Sequence, residues 1–374
     1  MNEVNEVYCT NDTIANGICY GYAVCGYCYG AIVEGVHSSN TIYDQFNLIV
    51  IGMLLPAIGL MGLVGDTISA FIYSRKTMIS SLNIYLCALA CSDIIIILTA
   101  YFLFFLENMR KRSISANSIF AQLAPVMFPI GLTAQSLSVF LTVTAAFDCF
   151  ILVAGSTRMK KNFCTVNSSL RMLAVIVFMA VAYNSPHVFE IYVIDCWSLP
   201  FNQPSKDVCP SALRSNELYV TIYYAWLYTI IMAAGPFFLL ILINSAIVIT
   251  LRRKQRIEGD EGGDGDVVTL ILVVALFVTC NVLPLTVNLL EMLFSIENSY
   301  LIDLSNLMVV VNSSCNFLIY YVFGANFRRT LKQYMRNYST VVRSATIRRI
   351  GRRANSFQSI PVHHIAQPQK EYLI

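Results

Sequence analysis

Positions without Asp, Glu, Lys or Arg gather into long apolar stretches at 45–65, 113–147, 172–189, 218–251, 267–290 and 304–327, separated by short polar connections. Each is about as long as the roughly 20 residues a helix needs to cross the hydrocarbon core of a bilayer. A seventh stretch, 77–106, is broken only by Asp93, set in otherwise apolar company. Runs of this length exceed any buried strand, so the pattern predicts an all-α membrane protein, a seven-transmembrane helix bundle.

Composition agrees, because 56% hydrophobic against 13% charged residues is not a soluble balance. Charge placement predicts the orientation. Twenty of the 25 Lys and Arg fall in alternate connections and the C-terminal tail, among them Arg75, Arg158, Lys160 and Arg252, and five fall on the other side: Arg110, Lys111, Arg112, Lys206 and Arg214. The positive-inside rule then places the N-terminus outside and the tail in the cytosol. The expected division is an extracellular segment 1–45, a membrane domain 46–326 and a cytosolic piece 327–374. The first 45 residues lack a basic, then apolar, leader pattern, so the first spanning helix is expected to act as the targeting signal.

Asn11-Asp12-Thr13 is a glycosylation sequon on the outer side. Cys9, Cys19, Cys25, Cys28, Cys196 and Cys209 would share that oxidising side, and six cysteines allow fifteen full pairings among which the sequence does not choose. The acidic, Gly-rich 258–266 is too short to hold an inserted domain. No constellation of enzymatic residues is present.

Asp66 and Asp93 stand out as acids well inside the apolar spans, each costly to bury unless paired, hydrated or protonated. One reading makes them structural anchors between the first two helices. The surrounding motifs support another. Gly62-Leu63-Val64-Gly65-Asp66, Leu89-Ala90-Cys91-Ser92-Asp93, Pro236, Pro284 and Asn316-Phe317-Leu318-Ile319-Tyr320 resemble, in order, the helix motifs of the rhodopsin-like G-protein-coupled receptors. Four further strings, Ser80 to Leu86, Ala134 to Phe140, Asn184 to Glu190 and Asn312 to Phe317, resemble invertebrate FMRFamide-type neuropeptide receptors, the nematode ones above all.

That resemblance implies a sodium site at Asp93, Ser138, Asn312, Ser313 and Asn316, an oxygen set that suits a hard cation. The rival reading has these groups merely bonding between helices. Asp66 stands where the family has Asn, and two close carboxylates should not both ionise without a shared cation or a proton. The resemblance also implies activation and coupling roles for Asp148, Cys149, Phe150, Pro284, Asn316 and Tyr320. Here the chain departs from its relatives: Asp148-Cys149-Phe150 replaces an acid-Arg-Tyr motif, and Cys149 has neither the charge nor the reach of Arg. Helix three also lacks an outer cysteine, so Cys196 is left to Cys209, to an N-terminal cysteine such as Cys19, Cys25 or Cys28, or to no partner. Val282 replaces the usual Trp two residues before Pro284.

Gly131 stands where amine receptors place an Asp, and no Lys lies between Lys254 and Lys332 to hold retinal, so a peptide remains as the ligand class. An Arg-Phe-amide peptide needs a carboxylate beside an apolar pocket. Glu190 or Glu291 is expected to supply it, with Gln135 in the pocket wall. After helix seven, Phe327, Leu331, Tyr334, Met335 and Tyr338 recur on one helical face opposite Arg328, Arg329, Lys332 and Arg336, predicting a short amphipathic cytosolic helix on the bilayer surface. The reading is a plasma-membrane receptor for an FMRFamide-like peptide, partnered by a heterotrimeric G protein and arrestin, with no nucleic-acid role and no cofactor beyond the sodium ion. The alternatives are a nematode chemosensory receptor for small molecules and a peptide-binding protein that does not signal.

Overall fold

The computed structural model describes residues 23–25, 41–110, 113–198, 203–258, 265–294 and 296–337. Seven helices among them are long and apolar enough to cross a membrane: α1 (Ile42–Tyr73), α2 (Ser81–Arg110), α3 (Ile114–Ala154), α4 (Val166–Phe189), α5 (Glu217–Lys254), α6 (Val267–Phe294) and α7 (Ser299–Phe323). The first begins a few residues before the predicted boundary at 45.

Helix α1 shows how the sequence chooses an inner face. Leu55, Gly59, Gly62, Asp66, Ser69 and Tyr73 are buried, at alternating steps of four and three, whereas Leu60, Met61, Val64 and Phe71 are exposed. The stripe is made of small and polar residues and the outer face of large apolar ones, the reverse of a soluble helix. Small residues let backbones approach. A Cβ on Gly62 would collide with Ser314 Oγ, and one on Gly65 would lie 2.7 Å from Phe317, so α1 and α7 meet where these glycines stand.

The most apolar stretch of α3 is 56% buried and that of α4 only 17%, which puts α3 at the centre of the bundle and α4 at its rim. α3 carries Pro125 and Pro129 and α6 carries Pro284 without ending. In α5 the turns Val220–Leu227 and Thr229–Ala234 are π-helical and regular winding resumes at Gly235, beside Pro236. Proline cannot donate the bond that would close the preceding turn, and a wider turn absorbs the mismatch.

One end of the bundle is covered by a β-hairpin, β2 (Ile191–Ser198) and β3 (Gln203–Pro210), paired antiparallel from Ile191↔Pro210 to Ser198↔Gln203. A two-residue strand, β1 (Ala23–Val24), adds to its edge in parallel, with Ala23 opposite Cys196. The hairpin packs on α3 through Val208 against Phe120, Ala121 and Ala124. Residues 325–337 form a further helix. Tyr338 lies outside the described residues, as do Asn11, Cys19 and Cys28.

Candidate functional site

Beneath the hairpin lies a cavity of about 540 Å³, walled mainly by α2, α3, α6 and α7. Its lining is largely apolar, with Phe104, Phe120 and Phe128 among Leu, Ile and Val, and its charged groups are Glu107, Arg110 and Glu291. Gln135 also lines it, so the structure brings Gln135 and Glu291 together in one chamber. The Arg110 charge is already answered. Its Nη2 lies 3.4 Å from Glu107 Oε1, its Nη1 lies 3.7 Å from Asp207 Oδ1, and its guanidinium stands 4.8 Å from the Phe120 ring centre. Set against Arg110, the lining acids Glu107 and Glu291 leave the chamber with an excess of negative charge, and it suits a ligand that is cationic and partly aromatic.

Glu107 is absent from the sequence-based candidates because it reads as the polar end of a spanning segment. The opposite correction applies to Glu190. It is fully buried and does not line the cavity. His187 Nδ1 is 2.8 Å from its Oε1, the Tyr219 hydroxyl donates to the same oxygen at 2.6 Å, the Tyr224 hydroxyl donates to Oε2, and Arg214 Nη1 lies 3.7 Å away. Burial alone would raise this carboxyl, but the hydrogen bonds from His187, Tyr219 and Tyr224 outweigh it and hold Glu190 below the usual glutamate range. A carboxylate so occupied joins α4 to α5 and has no capacity left for a ligand. Asp303, in the first turns of α7, is likewise buried and accepts from Asn47 Nδ2 at 2.8 Å.

Deeper in the bundle, Asp93 is fully buried. Asn316 Nδ2 donates to its Oδ2 at 2.8 Å and Ser138 Oγ to its Oδ1 at 3.4 Å, while Ser313 faces it outside strict hydrogen-bond geometry. The buried Asn312 Oδ1 has no hydrogen-bond partner. The five residues of the implied sodium set therefore converge between α2, α3 and α7, with an orphaned amide oxygen among them, and this donor set fits a hard cation.

At the end opposite the hairpin, Asp148 accepts from Ser81 Oγ at 2.8 Å, and Ser81 Oγ lies 2.7 Å from Ser169 Oγ. α2 thus bonds directly the acid that here has Cys149 as its neighbour, and α4 joins through Ser81. Cys149 is fully buried, and Phe150 is half-buried. Lys254 Nζ, at the end of α5, donates to the Val153 carbonyl of α3 at 2.8 Å. Between α3 and α4, Cys164 Sγ meets the Asp148 carbonyl at 3.7 Å, and burial together with the Asp148 charge pushes this thiol up to about 12. Tyr320 is fully buried, edge-on to Tyr73 at 5.2 Å, and Pro284 lines the cavity above it.

A disulfide joins Cys25 to Cys196, which puts the N-terminal segment on the hairpin and excludes a Cys196–Cys209 bond. Cys209 is disulfide-bonded as well.

Residues 67–320 match the family model described as 7 transmembrane receptor (rhodopsin family). A probable G-protein coupled receptor of Caenorhabditis elegans, frpr-1, is 60% identical over 88% of this chain and 89% of its own length. An FMRFamide receptor of Drosophila melanogaster is 31% identical over 80% of this chain and 56% of its own length. The FMRFamide peptide receptor frpr-18 of Caenorhabditis elegans is 27% identical over 74% of this chain and 67% of its own length.

Proposed function

The chain belongs to the rhodopsin family of seven-transmembrane receptors, and from that premise we propose that it is a plasma-membrane receptor for an FMRFamide-like peptide, with the hairpin end outside the cell and the opposite end against a heterotrimeric G protein. The observation that carries the peptide reading is the apolar cavity whose one cation, Arg110, is already paired with Glu107, leaving Glu291 for a ligand guanidinium. Similarity to proteins named as FMRFamide receptors supports the same ligand class.

Binding of peptide at the hairpin end biases α5, α6 and α7 toward a second arrangement, a population shift with no chemical step. A sodium ion held by Asp93, Ser138, Asn312, Ser313 and Asn316 supplies positive charge that stabilises the resting arrangement. The basic cluster Arg328, Arg329 and Lys332 after α7 suits anionic lipid headgroups. Arrestin is the second cytosolic partner.

The test is G-protein and arrestin recruitment in cells displaying the chain, challenged with a panel of amidated Arg-Phe peptides, beside Cys149→Arg. A response from the unaltered chain establishes a peptide receptor that couples without the helix-three Arg. A response from Cys149→Arg alone means that binding survives without coupling. Silence from both at verified surface expression overturns the peptide reading.

A further inference from the structure

At the end of α4 that carries the hairpin, His187 and Glu190 stand three residues apart, and both are buried, at 3% and 0% exposure. His187 Nδ1 faces the carboxylate at 2.8 Å and so is the donor of their bond. Helix α5 closes on this pair with three tyrosines. The hydroxyls of Tyr219 and Tyr224 donate to Glu190, and the Tyr224 oxygen also lies 3.1 Å from His187 Nδ1. The Tyr223 hydroxyl donates to the Tyr183 carbonyl of α4 and stands 3.4 Å from His187 Nε2. The backbone here is fastened as well. The Glu190 carbonyl accepts from Ser211 N at 2.7 Å, and the neighbouring Phe189 carbonyl accepts from Ser211 Oγ at 2.6 Å. Ser211 directly follows β3. Glu190 therefore ties the end of α4 to α5 by its side chain and to the base of the hairpin by its backbone.

None of these groups lines the chamber, yet residues beside them do, on three elements. Ile191, the next residue and the first of β2, is part of the wall. Phe128 of α3 is also in the wall and stands edge-on to the His187 ring, with centres 5.8 Å apart. Tyr228, four residues beyond Tyr224 on α5, is the third. Apolar packing at such a junction would hold the elements together but leave their angle loose, whereas matched buried donors and acceptors fix direction as well as contact. Replacing a buried charged network by hydrocarbon often costs little stability, so a network kept beside the chamber points to geometry as its task.

We propose that His187 and Glu190 are positioning residues for the chamber. Held to α5 and to the hairpin base at once, their bond sets where Phe128 and the first residue of β2 stand, and so how closely the wall fits a bound peptide. The inference rests on the peptide reading given above and adds residues that shape the site without touching its ligand.

The experiment measures association and dissociation of a labelled amidated Arg-Phe peptide, the most potent of the panel, on cells displaying the full chain. His187→Phe keeps a ring against Phe128 and removes both nitrogens, whereas His187→Gln keeps a donor for Glu190. Dissociation is expected to quicken roughly 10-fold in His187→Phe and Glu190→Gln, the effect of one lost hydrogen bond to a charged group, and to change less than about twofold in His187→Gln. Gly62→Ala, which strains the contact of α1 with α7, is the control for mere destabilisation: it lowers the number of binding sites and leaves the dissociation rate alone. Hydrogen exchange over residues 191–198 is read on the same variants without peptide, and His187→Phe is expected to raise it severalfold. The proposal is overturned if His187→Phe changes only the number of sites, as Gly62→Ala does, or if His187→Gln releases peptide as fast as His187→Phe. If the unaltered chain binds no peptide of the panel, the peptide reading fails by itself. Exchange over 191–198 then decides the positioning role, which is overturned if His187→Phe and the unaltered chain exchange alike.

Discussion

At the scale of single residues, the acids divide by whether their oxygens are already taken. Glu291 lines the chamber, whereas Glu190 is enclosed by His187, Tyr219, Tyr224 and Arg214. Glu291→Ala should therefore weaken peptide potency about 10- to 100-fold at matched surface expression, the loss of one charge-assisted hydrogen bond. Glu190→Ala should act differently, lowering the melting temperature by an amount equivalent to about 3 kcal/mol as its buried partners lose their acceptor. The pH dependence follows from its depressed carboxyl. A group held lower in the folded than in the unfolded state contributes in full above the unfolded value, near 4.3, and the contribution is lost as pH falls through the lower folded value. Thermal melts from pH 7 down to pH 3 should thus converge for Glu190→Ala and the unaltered chain only at the acid end. The sequence could not separate these two glutamates, since each directly follows a charge-free stretch and only the fold shows which one faces the cavity.

At the scale of elements, the sequence was most legible where the bilayer imposes length. Seven charge-poor stretches became seven helices because an apolar segment in hydrocarbon must satisfy its own backbone. The hairpin was not legible: the segments Ile191–Ser198 and Gln203–Pro210 carry charge and two prolines and lack a turn dipeptide that would announce them. Helix contacts were legible in part. The Gly62-to-Gly65 motif resembles the family's, but its physical role is to admit Ser314 and Phe317 of α7. Gly62→Ala should accordingly lower stability by about 1–3 kcal/mol through overpacking. Pairing it with Ser314→Gly should recover most of that loss, and melting curves of the single and double variants measure the coupling. If the double variant melted no higher than Gly62→Ala alone, the steric reading of this contact would be wrong.

At the scale of the whole molecule, the two ends of the bundle are closed by different means. The disulfide from Cys25 to Cys196 spans 171 residues and holds the N-terminal segment on the hairpin, so Cys25→Ser and Cys196→Ser should each reduce stability by about 2–5 kcal/mol, with the double variant no worse than either. At the other end the missing Arg has not left Asp148 stranded, because Ser81 satisfies it from α2. What crosses from α3 to α5 is the bond from Lys254 to the Val153 carbonyl, near the negative end of the α3 dipole. Among the described residues, this lysine is the charged side chain bonded from α5 to α3 at this end, and we expect it to restrain the resting arrangement. A single partly buried bond of this kind contributes about 1 kcal/mol, so its loss shifts a two-state equilibrium by less than tenfold. Lys254→Ala should therefore raise basal signalling severalfold without altering peptide affinity to the same degree as Glu291→Ala, while Lys254→Arg, which can still reach the carbonyl, should stay near the unaltered level. Equal basal signalling from Lys254→Ala and the unaltered chain, at equal surface expression, would show that this bond does not hold the resting state.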